Sequence, residues 1–372
     1  PGAQRRQVKI LNVVGARPNF MKIAPLIRAM NARKDRIEHL LVHTGQHYDK
    51  SMSDDFFVQL GIPQPDVNLG IGSASHAQQT AKILTAFESV LVEHNPDMVV
   101  VVGDVNSTMA CALVAAKSGV KVAHVEAGLR SFDRTMPEEI NRILTDALSD
   151  LLFTTEEAGN ENLRREGIPQ EKIFFVGNVM IDTLVHCLAA MPPGPPHPGL
   201  EKKEYAVITL HRPSNVDHPE TLKGMLRAFQ DISKNLKLVI PLHPRTRANI
   251  ERFGLSDALR ALEENAVVTG PAGYVDMLRL VKDSRMVITD SGGIQEETTY
   301  LGVPCITLRA NTERPSTVTL GTNTLVGSDT GKLLRAVERV MLDSHARGTI
   351  PPLWDGHASE RIVEHLLRSA AV

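Results

Sequence analysis

Short runs of valine, isoleucine and leucine, recurring between longer segments of helical spacing, constrain this chain more than any other feature. Such runs stand at Val8 to Val14, Met98 to Val102, Val120 to Val125 and Ile173 to Val176. A strand that is apolar at nearly every position buries both of its faces, which happens in parallel sheets covered by helices on both sides. The segments between, among them Ala77 to His94 and Pro137 to Leu148, have the spacing of those helices. The first half is therefore expected to be a doubly wound α/β domain.

The pattern breaks at Met191 to Gly199, where five of nine residues are proline and neither a helix nor a sheet ladder can be sustained. It then restarts, with strands expected at Tyr205 to Leu210, Leu238 to Leu242, Ala266 to Thr269, Met286 to Thr289 and Pro304 to Leu308. At 372 residues the chain exceeds the roughly 250 to 300 at which a single core stops growing. Two doubly wound domains are expected, at 8–190 and 200–355, with a last helical segment at Ser359 to Leu367 that periodicity assigns to neither.

A formal net charge of -2, with 23% charged residues, points to no nucleic-acid partner, although a local basic pocket remains compatible with it. Cys111, Cys187 and Cys305 are odd in number, far apart and set among apolar residues. They read as reduced buried thiols and favour the cytoplasm. No apolar run approaches a membrane span, and Pro1 to Gln7 lacks the apolar core of a signal peptide, so the expectation is a soluble, unexported protein without a membrane partner.

In doubly wound sheets ligands bind beyond the carboxyl ends of the strands, and those positions are unusually polar here. After the first strand comes Gly15-Ala16-Arg17-Pro18-Asn19-Phe20-Met21-Lys22. Its glycine permits a tight turn, and Arg17 and Lys22 beside free N–H groups suit a phosphate; a capped turn with solvated charges is the bland alternative. Asp104 follows the Met98 to Val102 strand and Glu126 lies at the end of the next. Acids behind buried strands are costly unless paired or used. Glu138 and Glu139 follow Pro137, where acids equally suit the positive end of a helix.

In the second half His211-Arg212-Pro213 and His243-Pro244-Arg245 each end a strand, and either histidine is compatible with an ordinary loop role. The stretch Thr289-Asp290-Ser291-Gly292-Gly293-Ile294-Gln295-Glu296-Glu297 turns from strand to helix through two glycines. Amides and helix dipole there suit a diphosphate, and an acid one turn on suits a ribose hydroxyl. Asn311-Thr312-Glu313-Arg314-Pro315 adds a cation. No P-loop signature is present, and Gly70-Ile71-Gly72-Ser73-Ala74-Ser75 lacks the third glycine of a dinucleotide fingerprint. His43 and His47 have metal-ligand spacing without an evident third ligand, so no metal is expected.

Taken as an ordered set from Gly15 to about Gly327, these segments resemble the non-hydrolysing UDP-N-acetylglucosamine 2-epimerases. The resemblance implies a GT-B-like fold of two Rossmann-like domains with a cleft between them, and a helix at 356–372 that returns to the first domain. It implies a homodimer and a UDP-sugar substrate. Carried over by motif, Arg17 and Lys22 look like the family's substrate-binding pair, and Asp104, Glu126 and Glu138 like its three active-site carboxylates. His211 looks like its phosphate-contacting histidine, Ser291, Gly292, Gly293 and Glu297 like its UDP-binding Ser-Gly-Gly-x-x-x-Glu, and Arg314 like its Thr-Glu-Arg-Pro arginine.

Three departures stand out. Arg212-Pro213-Ser214 replaces a common Arg-Arg-Glu, Met277 stands where a uracil-facing aromatic is common, and Gly72 to Gln78 contains no arginine, which activated bacterial members use to hold an allosteric UDP-sugar. The reaction implied is loss of the C2 proton with departure of UDP to a 2-acetamidoglycal, then protonation from the other face and return of UDP. It needs no nicotinamide or other cofactor. A 2-epimerase of a related diacetamido uronic acid sugar, a GT-B glycosyltransferase and a catalytically silent UDP-sugar sensor are the alternatives.

Overall fold

The protein is described from a computed structural model, which covers residues 6–45, 61–194, 199–342 and 348–370. Its contacts divide the chain into two compact units, Pro1–Cys187 with Pro352–Val372, and Leu188–Pro351. The first division falls within the helix Val179–Ala190, ahead of the proline-rich stretch. Residues 195–198 of that stretch lie outside the described residues.

The first unit holds seven parallel strands, β1 (Val8–Val14), β2 (Ile37–His43), β3 (Val67–Asn68), β4 (Met98–Val102), β5 (Lys121–Ala127), β6 (Leu151–Thr154) and β7 (Ile173–Phe175). Their order is β3-β2-β1-β4-β5-β6-β7, so the winding reverses between β1 and β4. The apolar runs anticipate β1 and β4 to the residue, whereas β2, with Glu38 and His39 inside it, β6 and the two-residue β3 were not anticipated. Leu11, Val13, Val99 and Val101 share one face with Ile83 and Phe87 of the helix His76–His94, and the residues between them bury the opposite face. That double burial is the reason the strands show no polar alternation.

The helix Ala358–Ala370 packs on the helix Arg17–Asn31. Its first N–H groups, at Ala358 and Ser359, donate to the carboxylate of Asp182 at 3.1 and 2.7 Å, and Ile362, Val363, Leu366 and Leu367 are buried. The acid supplies acceptors that a helix start lacks within itself. Trp354, fully buried just before this helix, donates its indole N–H to the Thr155 carbonyl at 2.9 Å.

The second unit repeats the topology with β8 (Tyr205–Thr209), β9 (Lys237–Pro241), β10 (Ala266–Thr269), β11 (Met286–Thr289), β12 (Cys305–Thr307) and β13 (Asn323–Leu325). The order β10-β9-β8-β11-β12-β13 again reverses at the centre, between β8 and β11. Along β8, Ala206 and Ile208 join a core with Met225 and Phe229, while Tyr205 and Val207 join another with Leu280 and Val281. Period-two alternation between two cores, rather than between core and water, accounts for the continuous run. The cysteines are buried and free, and among the described residues no helix is long and apolar enough to cross a membrane.

Candidate active site

In the first unit the carboxyl ends of β1, β4 and β5 bring Lys22, Asp104 and Glu126 into one neighbourhood. The turn after β1 is built by Asn19, whose side-chain oxygen accepts the N–H groups of Gly15 and Ala16 while its amide donates to the Val102 carbonyl. Gly15 is required by packing: a Cβ there would lie 2.1 Å from the Ser107 hydroxyl. Lys22, one turn into the helix, meets a carboxylate instead of facing outward. Its Nζ lies 2.8 Å from Glu126 Oε1, both side chains being buried. The Arg17 side chain lies outside the described residues, as does His47. His43 is buried with its ring against Phe20.

Glu126 sits inside β5 at a register shift against β6, with φ at 74°, a left-handed backbone that a glutamate rarely adopts. A bulge of this kind re-aims a side chain, and strain held at such a position marks a functional site. Asp104 is half-buried after β4, where Arg142 Nε and Nη2 reach its Oδ2 at 3.0 and 2.6 Å. Each carboxylate is thus clamped by its own cation.

Arg142 comes from the helix Pro137–Leu148, whose buried residues are Glu139, Asn141, Arg142, Thr145 and Asp146. Ile140 and Leu144 are left exposed, so the helix turns its polar stripe inward and its apolar stripe outward. Glu139 accepts from the Ser131 and Phe132 N–H groups and from Arg142. Burial opposes its ionisation, but the Ser131 amide, Arg142 and the Phe132 amide outweigh it and hold the carboxyl below the usual glutamate value. Glu138 is exposed on the first turn of the same helix. Of the neighbouring pair, Glu139 is built into the fold and Glu138 is presented to solvent.

In the second unit the helix Gly292–Leu301 begins directly after β11, and its N-cap Ser291 makes no side-chain capping bond. The first-turn amides therefore lack an internal acceptor. A Cβ on Gly292 would lie 2.8 Å from Arg314 Nη1, so this glycine lets the arginine approach the helix start, whereas Gly293 faces open space. Arg314 is held by Glu296, 2.7 Å from its Nε, and by Glu313. Glu297, buried on the next turn, is pushed up to about 8, first by burial and then by neighbouring Glu296, with Tyr274 acting in the opposite sense. Met277 packs on the apolar cluster that contains Ile294 of this helix.

His211, just beyond β8, places Nδ1 2.7 Å from Asp290 Oδ1, and its ring centroid is 5.5 Å from that of His243. Asp290 also accepts from the His211 and Arg212 N–H groups and from Asn215. Burial works against its charge, but His211 and these donors hold it below the usual aspartate value. Sequence reasoning passed over Asp290 and Arg142. The first follows β11 directly and precedes the Ser-Gly-Gly turn, and the second follows Glu138 by four residues, so position relative to a recognised motif was the available signal.

The fold and these two strand edges define a two-domain α/β enzyme of the GT-B-like class. A glycosyltransferase structure of 14% identity, covering 98% of both chains at a TM-score of 0.57, shares that fold. The chain belongs to the UDP-N-acetylglucosamine 2-epimerase family, whose model matches residues 28–367. It is 43% identical to the UDP-N-acetylglucosamine 2-epimerase of Methanocaldococcus jannaschii, over 96% of this chain and 99% of the relative. It is 41% identical to the UDP-2,3-diacetamido-2,3-dideoxy-D-glucuronate 2-epimerase of Pseudomonas aeruginosa, over 97% and 100%. The crystal structure of the M. jannaschii enzyme in complex with UDP-GlcNAc and UDP superposes at a TM-score of 0.87, with 42% identity over 97% of this chain and 100% of that one.

Proposed function

We propose that this protein inverts C2 of UDP-N-acetylglucosamine to give UDP-N-acetylmannosamine, by elimination of UDP and its re-addition. The observation that carries the reading is the pair of carboxylates at the ends of adjacent strands, Glu126 on Lys22 and Asp104 on Arg142, each fixed by a buried cation. Such pairs are superfluous for binding alone, and proton transfer on two faces of a sugar ring needs at least two positioned groups. One group takes the C2 proton while the C1–O bond breaks, its electrons leaving with UDP. After a proton is delivered to C2 from the opposite face, the UDP oxygen bonds again to C1. Asp104, Glu126 and Glu138 are the candidates for these transfers. The second unit supplies the UDP-binding groups: the Ser291-Gly292-Gly293 amides and His211 for the diphosphate, Glu297 for the ribose, Arg314 as a nearby cation and Met277 beside the base. Arg17 and Lys22 complete the substrate-binding set.

The 41% identical relative that bears a diacetamido uronic acid name keeps that sugar as the second reading. A homodimer belongs to the same proposal, supported by the outward apolar stripe of Ile140 and Leu144, which a second copy would cover. So does a cytoplasmic location, supported by the free buried cysteines. The deciding experiment is incubation with UDP-N-acetylglucosamine alone in deuterated buffer, followed by proton NMR. UDP-N-acetylmannosamine carrying deuterium at C2 is expected without any acceptor. Product that retains the original C2 hydrogen would sink the proton-transfer mechanism, and a strict need for an acceptor would favour a glycosyltransferase.

A further inference from the structure

Beneath the acids lies a buried cluster that the reaction as described does not use. His124, on β5 two residues before Glu126, is fully buried with both ring nitrogens engaged: Nδ1 lies 2.6 Å from Asp146 Oδ1 and Nε2 lies 2.8 Å from the Gly103 carbonyl oxygen. A carbonyl oxygen can only accept. An ionised carboxylate can only accept as well. Asp146 is held in that form, since burial opposes its charge but His124 and Arg130 outweigh the penalty and keep it below the usual aspartate value. Asp146 Oδ2 also receives Arg130 Nη2 at 2.7 Å and the Gly128 N–H at 3.0 Å, and Arg130 continues to Glu166. The charges facing the imidazole are thus Asp146 from the helix and Arg130 from the loop after β5.

We infer that His124, held through both ring nitrogens between Asp146 and the Gly103 carbonyl, is a positioning residue for both acids of the proposed reaction. The geometry is specific to that role. Gly103 directly precedes Asp104, so the Nε2 bond fixes the peptide from which that acid projects. Asp146 binds His124 two residues before Glu126 and Gly128 two residues after it, so one carboxylate pins both sides of the left-handed bulge. Gly128 packs against Gly159 so closely that a Cβ there would lie 2.4 Å from the Gly159 carbonyl oxygen, which leaves no room for a side chain at this end of the bulge. A ring bonded at both nitrogens ties the end of β4 to the helix that carries Asp146, and through Asp146 to the far side of the bulge.

The inference rests on the reading of Asp104 and Glu126 as proton-transfer groups, and the test separates the two. Asparagine places an amide N–H near Nδ1 and glutamine near Nε2. His124→Asn, which abandons Gly103, is therefore expected to lower kcat roughly 10²-fold, the scale of an ångström's misplacement. His124→Gln is expected to stay within about tenfold of wild type, and both to bind UDP as wild type does. Wild-type kcat in His124→Asn overturns the inference; should that variant not fold, a folded His124→Gln with intact UDP binding and kcat down by more than about tenfold overturns it instead. If Asp104→Asn and Glu126→Gln retain turnover, the reading of the acids falls whatever the His124 variants show.

Discussion

The two sheets share one strand order and one point of reversal, and both pair most of the buried charge at their carboxyl edges, yet one acid of the second unit stands apart. In the first unit Glu126 lies against Lys22, Asp104 and Glu139 against Arg142, and Asp146 against Arg130 and His124. In the second, Glu297 is buried beside another acid and pushed up to about 8, while the Ser291 turn offers amides without a capping side chain. Asp290 with His211 and Glu296 with Arg314 are paired there as well, so the contrast rests on Glu297 and on the uncapped turn. A shared topology decides where functional groups appear, and the residues installed there decide whether the edge moves protons or holds an anion.

The widest separation between the edges is expected from the acids. Asp104→Asn and Glu126→Gln should each lower kcat by roughly 10²- to 10⁴-fold while leaving UDP affinity intact, and Glu138→Gln should behave in the same way. Weakened UDP binding on isothermal calorimetry of the first two would mean that the edges do not divide the work. Gly292→Val should do the reverse, weakening UDP binding by about 1 to 3 kcal/mol through the clash with Arg314. Unchanged UDP affinity in that variant would remove the turn from the binding site.

Glu297 sharpens the contrast through pH. Its value lies above the ordinary 4.5, so the folded state keeps a proton that the unfolded chain loses, and stability should fall as pH climbs from about 4.5 toward 8. Glu297→Gln removes that loss, and its melting temperature relative to wild type should rise across the same window. Ribose hydroxyls donating to this carboxylate would favour its ionised form. UDP binding near pH 7 should accordingly release a proton, read by calorimetry in buffers of different ionisation enthalpy. The smallest effect concerns the loop before the helix His76–His94, where Ser75 accepts the Gln78 N–H and no arginine occurs between Gly72 and Gln78. Turnover of UDP-N-acetylmannosamine should begin without added UDP-N-acetylglucosamine. A strict lag in progress curves would contradict this.

Much of this arrangement was legible before any coordinate. The apolar runs placed β1, β4, β10 and β11 to the residue, and the motifs that follow β1, β4, β8 and β11 lie where doubly wound sheets present ligands. Resemblance over nearly the whole chain supplied the family. Strands β3 and β13 escaped because two or three residues carry no period, and β2 because Glu38 and His39 interrupt its apolar character; β6, as long as β10 and β11, was simply passed over.

The sequence by itself determined the two doubly wound sheets and the residue types at their edges, because strand burial and turn chemistry act over a few neighbouring residues. Only the tertiary structure decided the partnerships. Lys22 and Glu126 are 104 residues apart in the chain and 2.8 Å apart in space. Periodicity would turn Ile140 and Leu144 inward on the helix Pro137–Leu148, yet its polar stripe is the one buried, since Asp104, Ser131 and His124 are waiting there for Arg142, Glu139 and Asp146. Which side of a helix is buried depends on what it meets, and charges brought out of water must meet their complements, a condition that no local pattern contains.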